Sequence, residues 1–283
     1  MPSLGVCSWS LHPANVHELI DRVRATGLTS IQLALTPIAE RQPGWDEAET
    51  VAALDAAGIT VLSGMLATIG EDYSTLETIR QTGGVRPDQH WEANLARATK
   101  VADTAKRLGI KLVTFHAGFL PHDHADPLHA VMINRLRTIG RVFGDHGIAV
   151  AFETGQESAD TLVEVMRELD EGTKDPHMGV NFDPANMILY GMGDPIRSLE
   201  LLAPWVLQVH IKDAQPTTIP GTWGTEMPVG RGRVYWGGFF KVLNSKLPNV
   251  DTVIEREAGE KRVEDINAAA ATVLAMRPSV KWR

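Results

Sequence analysis

Four stretches of this chain repeat one local order: a helical pattern, a glycine, then a β-rich run. They are RVRATGLTSIQLAL, ALDAAGITVLSGM, TAKRLGIKLVTFHAG and VFGDHGIAVAFET, with Gly27, Gly58, Gly109 and Gly147 at the junctions. A glycine just past a helix supplies the left-handed backbone that ends it. A strand follows at once. A chain built from such αβ units should run its strands parallel and cover them with helices.

The other apolar runs bring the strands to eight, near 4–9, 29–35, 59–66, 110–117, 148–154, 178–184, 206–212 and 250–257. Helices fill the gaps, for example 15–26, 48–57, 90–108, 128–144, 158–169 and 194–202. Ser158–Ala159–Asp160 offers helix-start chemistry, and Asp194–Pro195 a cap followed by a first-turn proline. Eight strands alternating with helices predict a single (β/α)₈ TIM barrel, which typically takes ~250 residues. Residues 1–283 are therefore read as one catalytic domain. A doubly wound open sheet is the alternative, weakened because no glycine-rich dinucleotide fingerprint follows the first strand. Two irregular stretches, 66–88 and 213–236, follow strands on the catalytic face and could form lids.

The chemistry lies in the last four strands. IAVAFET ends on Glu153, MGVNFDPAN carries Asp183, VLQVHIKDA carries His210 and DTVIEREAG carries Glu255. Side chains alternate between two faces of a strand. Ile148, Val150 and Phe152 therefore oppose Glu153, and Val180 and Phe182 oppose Asn181 and Asp183. Leu207, Val209 and Ile211 oppose Gln208, His210 and Lys212. Each residue alone has an ordinary reading. A glutamate ending a strand is commonly a solvated loop residue, Asp183–Pro184 fits a turn or helix cap, and a lone histidine fits a hydrogen-bonded core position.

Jointly, four consecutive strands each turn a polar group inward, and burying such groups without partners is costly. A divalent cation is the simplest compensation, keeping the carboxylates ionised and His210 neutral. Three carboxylates with one imidazole suit Mn²⁺, with Mg²⁺ or Co²⁺ as alternatives, better than structural zinc. Such a cation would polarise two neighbouring oxygens of a sugar-like substrate, one a carbonyl, and hold the resulting enediolate. Glu153 and Glu255, from strands three apart, could flank the substrate and remove and return the proton. Glu257 shares the parity of Glu255 and is the rival fourth ligand.

Charge and cysteine usage narrow the partners. A net charge of −8 argues against a nucleic-acid groove or an anionic membrane surface. One cysteine, Cys7, excludes an internal disulfide and fits a reducing cytosol. The opening MPSLGVCSWS has no signal-peptide pattern, and no run of ~18 apolar residues suggests a membrane span. The expectation is a cytoplasmic protein acting on a small molecule.

AFETG, VNFDPAN, QVHIKDA and VIEREAG, in this order and at these spacings, resemble the xylose-isomerase-like superfamily of sugar isomerases and epimerases over essentially the whole chain. LGVCSWSL and PVGRGRVYWGGFFKVL resemble its first strand and seventh loop. In its D-tagatose 3-epimerase branch, side chains matching Glu153, Asp183, His210 and Glu255 hold one divalent metal, and the two glutamates are the acid/base pair. The resemblance thus implies a metal-dependent sugar isomerase or epimerase. It also places the fourth ligand after the apolar residue matching Ile254, favouring Glu255 over Glu257.

Two departures stand out. That branch has Asp-x-x-His where this chain has Asp183-Pro-Ala-Asn186, and it has a substrate-binding arginine where residues 213–230 contain none. A lyase or hydrolase acting on an oxidised sugar is therefore the alternative. An abasic-site endonuclease of the same superfamily would need a multi-zinc, histidine-rich cluster and a basic face. A non-catalytic sugar-binding barrel is the remaining class.

The candidate substrate contacts are Trp9, His116, Gln156, Asn186, Lys212 and Arg231, with Arg233 beside the last. Trp9 could stack on a sugar face. Gln156 and Asn186 could fix hydroxyl groups or support the ligands. Lys212 could stabilise an oxyanion or pair with Asp213, and Arg231 could grip a phosphate or carboxylate. His122–Asp123–His124 reads as an exposed polar loop, and Cys7 as packing. Trp45, Trp223 and Trp236, with the 213–236 stretch, could form a homo-oligomer interface.

Overall fold

All four junction glycines take positive φ: 68° at Gly27, 69° at Gly58, 72° at Gly109 and 68° at Gly147. Nothing lies within 4 Å of where a Cβ would sit on any of them. The backbone angle, not lack of space, therefore demands glycine, and an L-residue there costs about 1–2 kcal/mol. Each of these turns ends one αβ unit and aims the next strand into the sheet.

The computed structural model describes residues 1–171, 178–278 and 282. The barrel strands are β1 (Leu4–Cys7), β2 (Ser30–Ala34), β3 (Thr60–Met65), β4 (Leu112–Phe115), β5 (Ala149–Glu153), β6 (Met178–Phe182), β7 (Val206–Ile211) and β8 (Asp251–Ile254). Each pairs in parallel with its sequence neighbours, and β8 closes on β1. The result is the expected (β/α)₈ barrel, every strand lying inside its predicted run. Helices begin where the two predicted caps place them: Ser158 and Asp194 each accept a backbone N–H of the following first turn, and Asn15 caps the first helix in the same way. Among the described residues, no helix is long and apolar enough to cross a membrane.

The two irregular stretches are more structured than their composition suggested. The first contains the helix Leu76–Thr82. In the second, Asp213–Gln215 pairs antiparallel with Thr225–Met227. Asp213 organises this loop: its fully buried carboxylate accepts from Ala214, Gly230, Gly232 and Val234 N–H and from Trp236 Nε1, at 2.8–3.1 Å. A Cβ on Gly232 would fall 2.0 Å from Asp213 Oδ1. The two stretches meet, since Trp223 Nε1 donates to Tyr73 O at 3.1 Å. The three tryptophans named as a candidate interface all have partners within the chain. Trp236 is buried against Phe239 and Phe240, Trp223 packs on Tyr190 and Tyr73, and Trp45 packs against the core.

Phe115, Val150, Phe152, Val180 and Phe182 are buried in the apolar core. The interior carries a polar layer instead, formed by Gln32, Ser63, Thr114, Asn181 and Gln208, all with 0% exposure. Ser63 Oγ donates to Gln208 Oε1 (2.6 Å), and Gln208 Nε2 to Asn181 Oδ1 (3.3 Å). Gln32 Nε2 donates to Thr114 Oγ1 (2.8 Å). Bulges at Ile31/Gln32 and Val180/Asn181 shift the register where two of these amides enter, as bulges do when they re-aim a side chain. This layer is the floor beneath the site.

Candidate metal centre

The C-terminal ends of β5 to β8 converge on one buried point. A ligand atom from each of Glu153, Asp183, His210 and Glu255 lies within 4.8 Å of the others. His210 Nδ1 is 3.4 Å from Glu255 Oε2, 3.6 Å from Glu153 Oε1 and 3.7 Å from Asp183 Oδ2. Both His210 Nδ1 and Asp183 Oδ2 are buried without a hydrogen-bond partner. Two orphaned polar atoms facing each other among carboxylates are what a cation with ~2.0–2.2 Å ligand bonds would satisfy. The donor set fits a divalent ion.

Asp183 meets both of its sequence readings. Its Oδ1 caps the helix Pro184–Leu189 by accepting from Ala185 N (2.7 Å) and Asn186 N (3.0 Å). The cap turns Oδ2 into the cluster. His210 is oriented from behind: its Nε2 lies 2.8 Å from Gln32 Oε1. Asn181 Nδ2 lies 3.1 Å from the same nitrogen; in a neutral imidazole that gives its Nε2 proton to Gln32 Oε1, the shorter contact, Nδ1 is the nitrogen left facing the carboxylates.

The electrostatics agree with this arrangement. Burial favours neutral imidazole, yet the facing carboxylates outweigh it and hold His210 well above its usual value. A pocket that attracts a proton this way attracts a divalent cation for the same reason. Burial also pushes Glu255 up, but Lys212 and His210 outweigh it and hold the carboxylate well below its usual range. Burial of Glu153 is likewise offset, by His116 and His210. Asp183 is pushed up by burial and by its carboxylate neighbours. Cys7, which burial raises to about 12, stays a neutral thiol 3.7 Å from His210 Nε2.

The other predicted residues fall in different places. Trp9 lies in a 3₁₀ turn just past β1, not on the strand, and its Nε1 donates to Glu255 Oε1 at 2.7 Å. Asn186 Nδ2 donates to Glu153 Oε1 at 2.9 Å. His116, just past β4, has Nε2 3.9 Å from Glu153 Oε2, while its buried Nδ1 has no partner. Gln156 is buried, with Nε2 unpartnered. Lys212 does not pair with Asp213, which is committed to the loop. Its Nζ reaches Glu255 Oε2 (2.8 Å) and Glu257 Oε2 (2.7 Å), and sits 4.0 Å from Asp183 Oδ2. Glu257, the rival ligand, is half exposed and stands outside the group of four. Arg231 and Arg233 are exposed, and among the described residues the four ligands' ion pairs are with His116, His210 and Lys212 rather than with either arginine.

Three contributors were not singled out from sequence. Gln32 was detectable, since SIQLA places a lone amide opposite Ile31 and Leu33. Tyr73 and Glu226 lie in stretches without periodicity. Tyr73 stands edge-on to His116 at 6.4 Å. Glu226 accepts from Glu257 N and Ala258 N and pairs with Arg256, fastening the paired strands of the seventh loop to the segment after Glu255.

The Gln32 contact makes a prediction. Gln32→Leu leaves His210 Nε2–H without this acceptor, so divalent affinity should fall by about 10–100-fold, as for outer partners of ligating histidines. Metal titration of the folded variant measures this, and unchanged affinity would rule out Gln32 as the orienting group.

Comparison with known proteins follows the same lines. Residues 20–277 match the family model described as xylose isomerase-like TIM barrel. No functionally curated protein matches the sequence. A xylose isomerase domain protein from Planctomyces limnophilus superposes with a TM-score of 0.84 at 27% identity, covering 99% of this chain and 97% of that one. A xylose isomerase-like TIM barrel protein from Mycobacterium smegmatis in complex with magnesium gives 0.70 at 18% identity, with 96% and 92% coverage. An L-ribulose 3-epimerase gives 0.73 at 13% identity, with 99% and 96% coverage. The last two likenesses are of fold.

Proposed function

We propose, from the premise that this chain belongs to the xylose isomerase-like TIM barrel family, that it is a divalent-metal-dependent sugar isomerase or epimerase, with residues 1–283 forming one catalytic unit. The observation that carries this reading is the buried meeting of three carboxylates and one imidazole, with Asp183 Oδ2 and His210 Nδ1 otherwise unpartnered. Glu153, Asp183, His210 and Glu255 would hold the ion. Their oxygen-rich set suits Mn²⁺ first, then Mg²⁺ or Co²⁺, and the magnesium complex of the M. smegmatis neighbour supports an ion of this class. When bound, the cation supplies Lewis-acid polarisation of a carbonyl and its neighbouring hydroxyl.

The chain's own groups do the rest. One of Glu153 and Glu255 removes the proton from the carbon beside the carbonyl, leaving an enediolate, and the other returns a proton. Asn186 fixes the Glu153 carboxylate, and Trp9 and Lys212 fix that of Glu255. The Lys212 ammonium also offsets charge developing on the substrate. His116 and Gln156 meet substrate hydroxyls in this reading, which the unpartnered buried nitrogen of each supports. Tyr73 and Trp223, meeting across two loops, limit water over the reacting carbon.

A second reading rests on one observation. Asn186 stands where the epimerase branch has a substrate-contacting histidine, and its amide is engaged with Glu153. That favours a lyase or hydrolase on an oxidised sugar as the runner-up. Both are tested by screening free, phosphorylated and oxidised sugars in D₂O with Mn²⁺. The expected result is deuterium at the carbon beside the carbonyl together with an isomerised product. Deuterium exchange accompanied by loss of a substrate group selects the lyase. Tight metal binding with no exchange on any sugar overturns both in favour of a binding barrel.

A further inference from the structure

A second cluster of imidazoles and carboxylates lies away from the barrel centre, between the helix Pro127–Gly144 and the helix Ala159–Asp170. His124 sits in the turn before the first helix and His129 at its start. Glu164 and Glu168 are four residues apart on the second helix and so share one face. His129 Nε2 is 2.8 Å, and His124 Nδ1 3.9 Å, from the same oxygen, Glu168 Oε2. The two imidazole centroids are 4.3 Å apart. One donor atom from each of His124, His129 and Glu168 lies within 4.8 Å of the other two.

The orientation of His124 is the more telling fact. Its Nε2 lies 3.2 Å from Glu164 Oε2, which leaves Nδ1 facing Glu168. A carboxylate on the outer nitrogen and a lone pair on the inner one is how a metal-ligating imidazole is usually held. Donors around a tetrahedral ion with ~2.0–2.2 Å bonds stand roughly 3.3 Å apart. The observed 2.8 and 3.9 Å bracket that value. The side chains of His124 and Glu168 are 56% and 31% exposed and free to make the adjustment.

We propose that His124, His129 and Glu168 form a second divalent-cation site, for an imidazole-preferring ion such as Zn²⁺, that clips the loop after β4 and the Pro127–Gly144 helix to the Ala159–Asp170 helix. Two imidazoles and one carboxylate leave a fourth position for water. The donor set is softer than that of the barrel centre, so it favours Zn²⁺ over Mg²⁺ or Mn²⁺ more strongly, while Zn²⁺ alone can fill both. The loop concerned begins at His116 and is further tied to the second helix by His122 Nδ1 against Thr161 Oγ1 at 2.5 Å. The clip therefore acts on the far end of a segment whose near end borders the centre.

The test is calorimetric titration of Zn²⁺ into the metal-stripped full chain. The expected result is two equivalents. His124→Ala and Glu168→Gln should each weaken one of them by at least tenfold, and Asp183→Asn should weaken the other. His124 is exposed, so its variant avoids the packing loss that truncating the buried His129 risks. His17→Ala, in an exposed pair with Glu49 elsewhere on the surface, should change neither. Co²⁺ at the second site should give the intense visible absorption of tetrahedral coordination. A single equivalent in the wild type, or a second equivalent untouched by both His124→Ala and Glu168→Gln, overturns the proposal.

Discussion

Glu153→Gln and Glu255→Gln are each expected to lower turnover by at least ~10²-fold, with losses up to ~10⁴-fold, while the protein stays folded. Glutamine keeps the shape and an acceptor oxygen but cannot take a proton. For Glu153, the amide oxygen can still receive the Asn186 Nδ2 bond of 2.9 Å. For Glu255, it can still receive Trp9 Nε1 or Lys212 Nζ, the groups now held at 2.7 and 2.8 Å. Metal affinity should therefore fall less than turnover does. The two variants should also differ from each other in D₂O. If one glutamate serves each face of the substrate, one variant still washes substrate protons into solvent without forming product. Glu257→Gln is the control, because Glu257 shares the end of β8 but stands half exposed and outside the ligand group. It should keep its metal. Loss of metal and turnover in Glu257→Gln, with Glu255→Gln mild, would move the role two residues along the chain.

Removing the cation should cost the fold as well as the chemistry. Chelation leaves Glu153, Asp183 and Glu255 crowded around His210, with two polar atoms again unpartnered. A ligand at one hundred times its dissociation constant adds about 2.7 kcal/mol to stability. The melting temperature of metal-stripped protein should thus rise by roughly 4–5 °C on saturation with Mn²⁺. His210→Ala and Asp183→Ala should each abolish most metal binding and most of that rise. Asp183→Ala also removes the cap of the helix Pro184–Leu189. Asp183→Asn separates the two roles, since asparagine caps a helix about as well as aspartate but presents no anion to the ion. It should keep the stability of the metal-free protein and still lose metal. Full occupancy in Asp183→Asn and His210→Ala together would remove the centre from consideration.

The contrast between Asp183 and Arg231 shows how far local sequence patterns reach. Asp183 sits on a strand whose alternation predicts its face, and the face depends on its immediate neighbours alone. Arg231 sits in a loop without periodicity. Its course is set by Asp213, which gathers four backbone N–H groups and an indole from residues up to 23 positions away. No local pattern announces that hub, so the sequence names Arg231 without saying where the loop carries it. Lys212 is the intermediate case. Its inward face followed from alternation with His210, but its partners are Glu255 and Glu257, 43 and 45 residues on, whereas its chain neighbour Asp213 is committed elsewhere.

The sequence by itself determined the αβ order, the glycine turns, the closed parallel barrel and the strand ends that carry Glu153, Asp183, His210 and Glu255. These follow from backbone conformational limits and the two-residue period of a strand, which act within a few residues. Strand parity alone left Glu255 and Glu257 level, and the resemblance favoured Glu255; only the tertiary structure decided that one oxygen of Asp183 caps a helix while the other faces the centre. It also decided that Gln32, 178 residues from His210, holds that imidazole's far nitrogen. Each of these depends on which side chains barrel closure brings within hydrogen-bond reach. That reach is a few ångströms in space and has no fixed length along the chain.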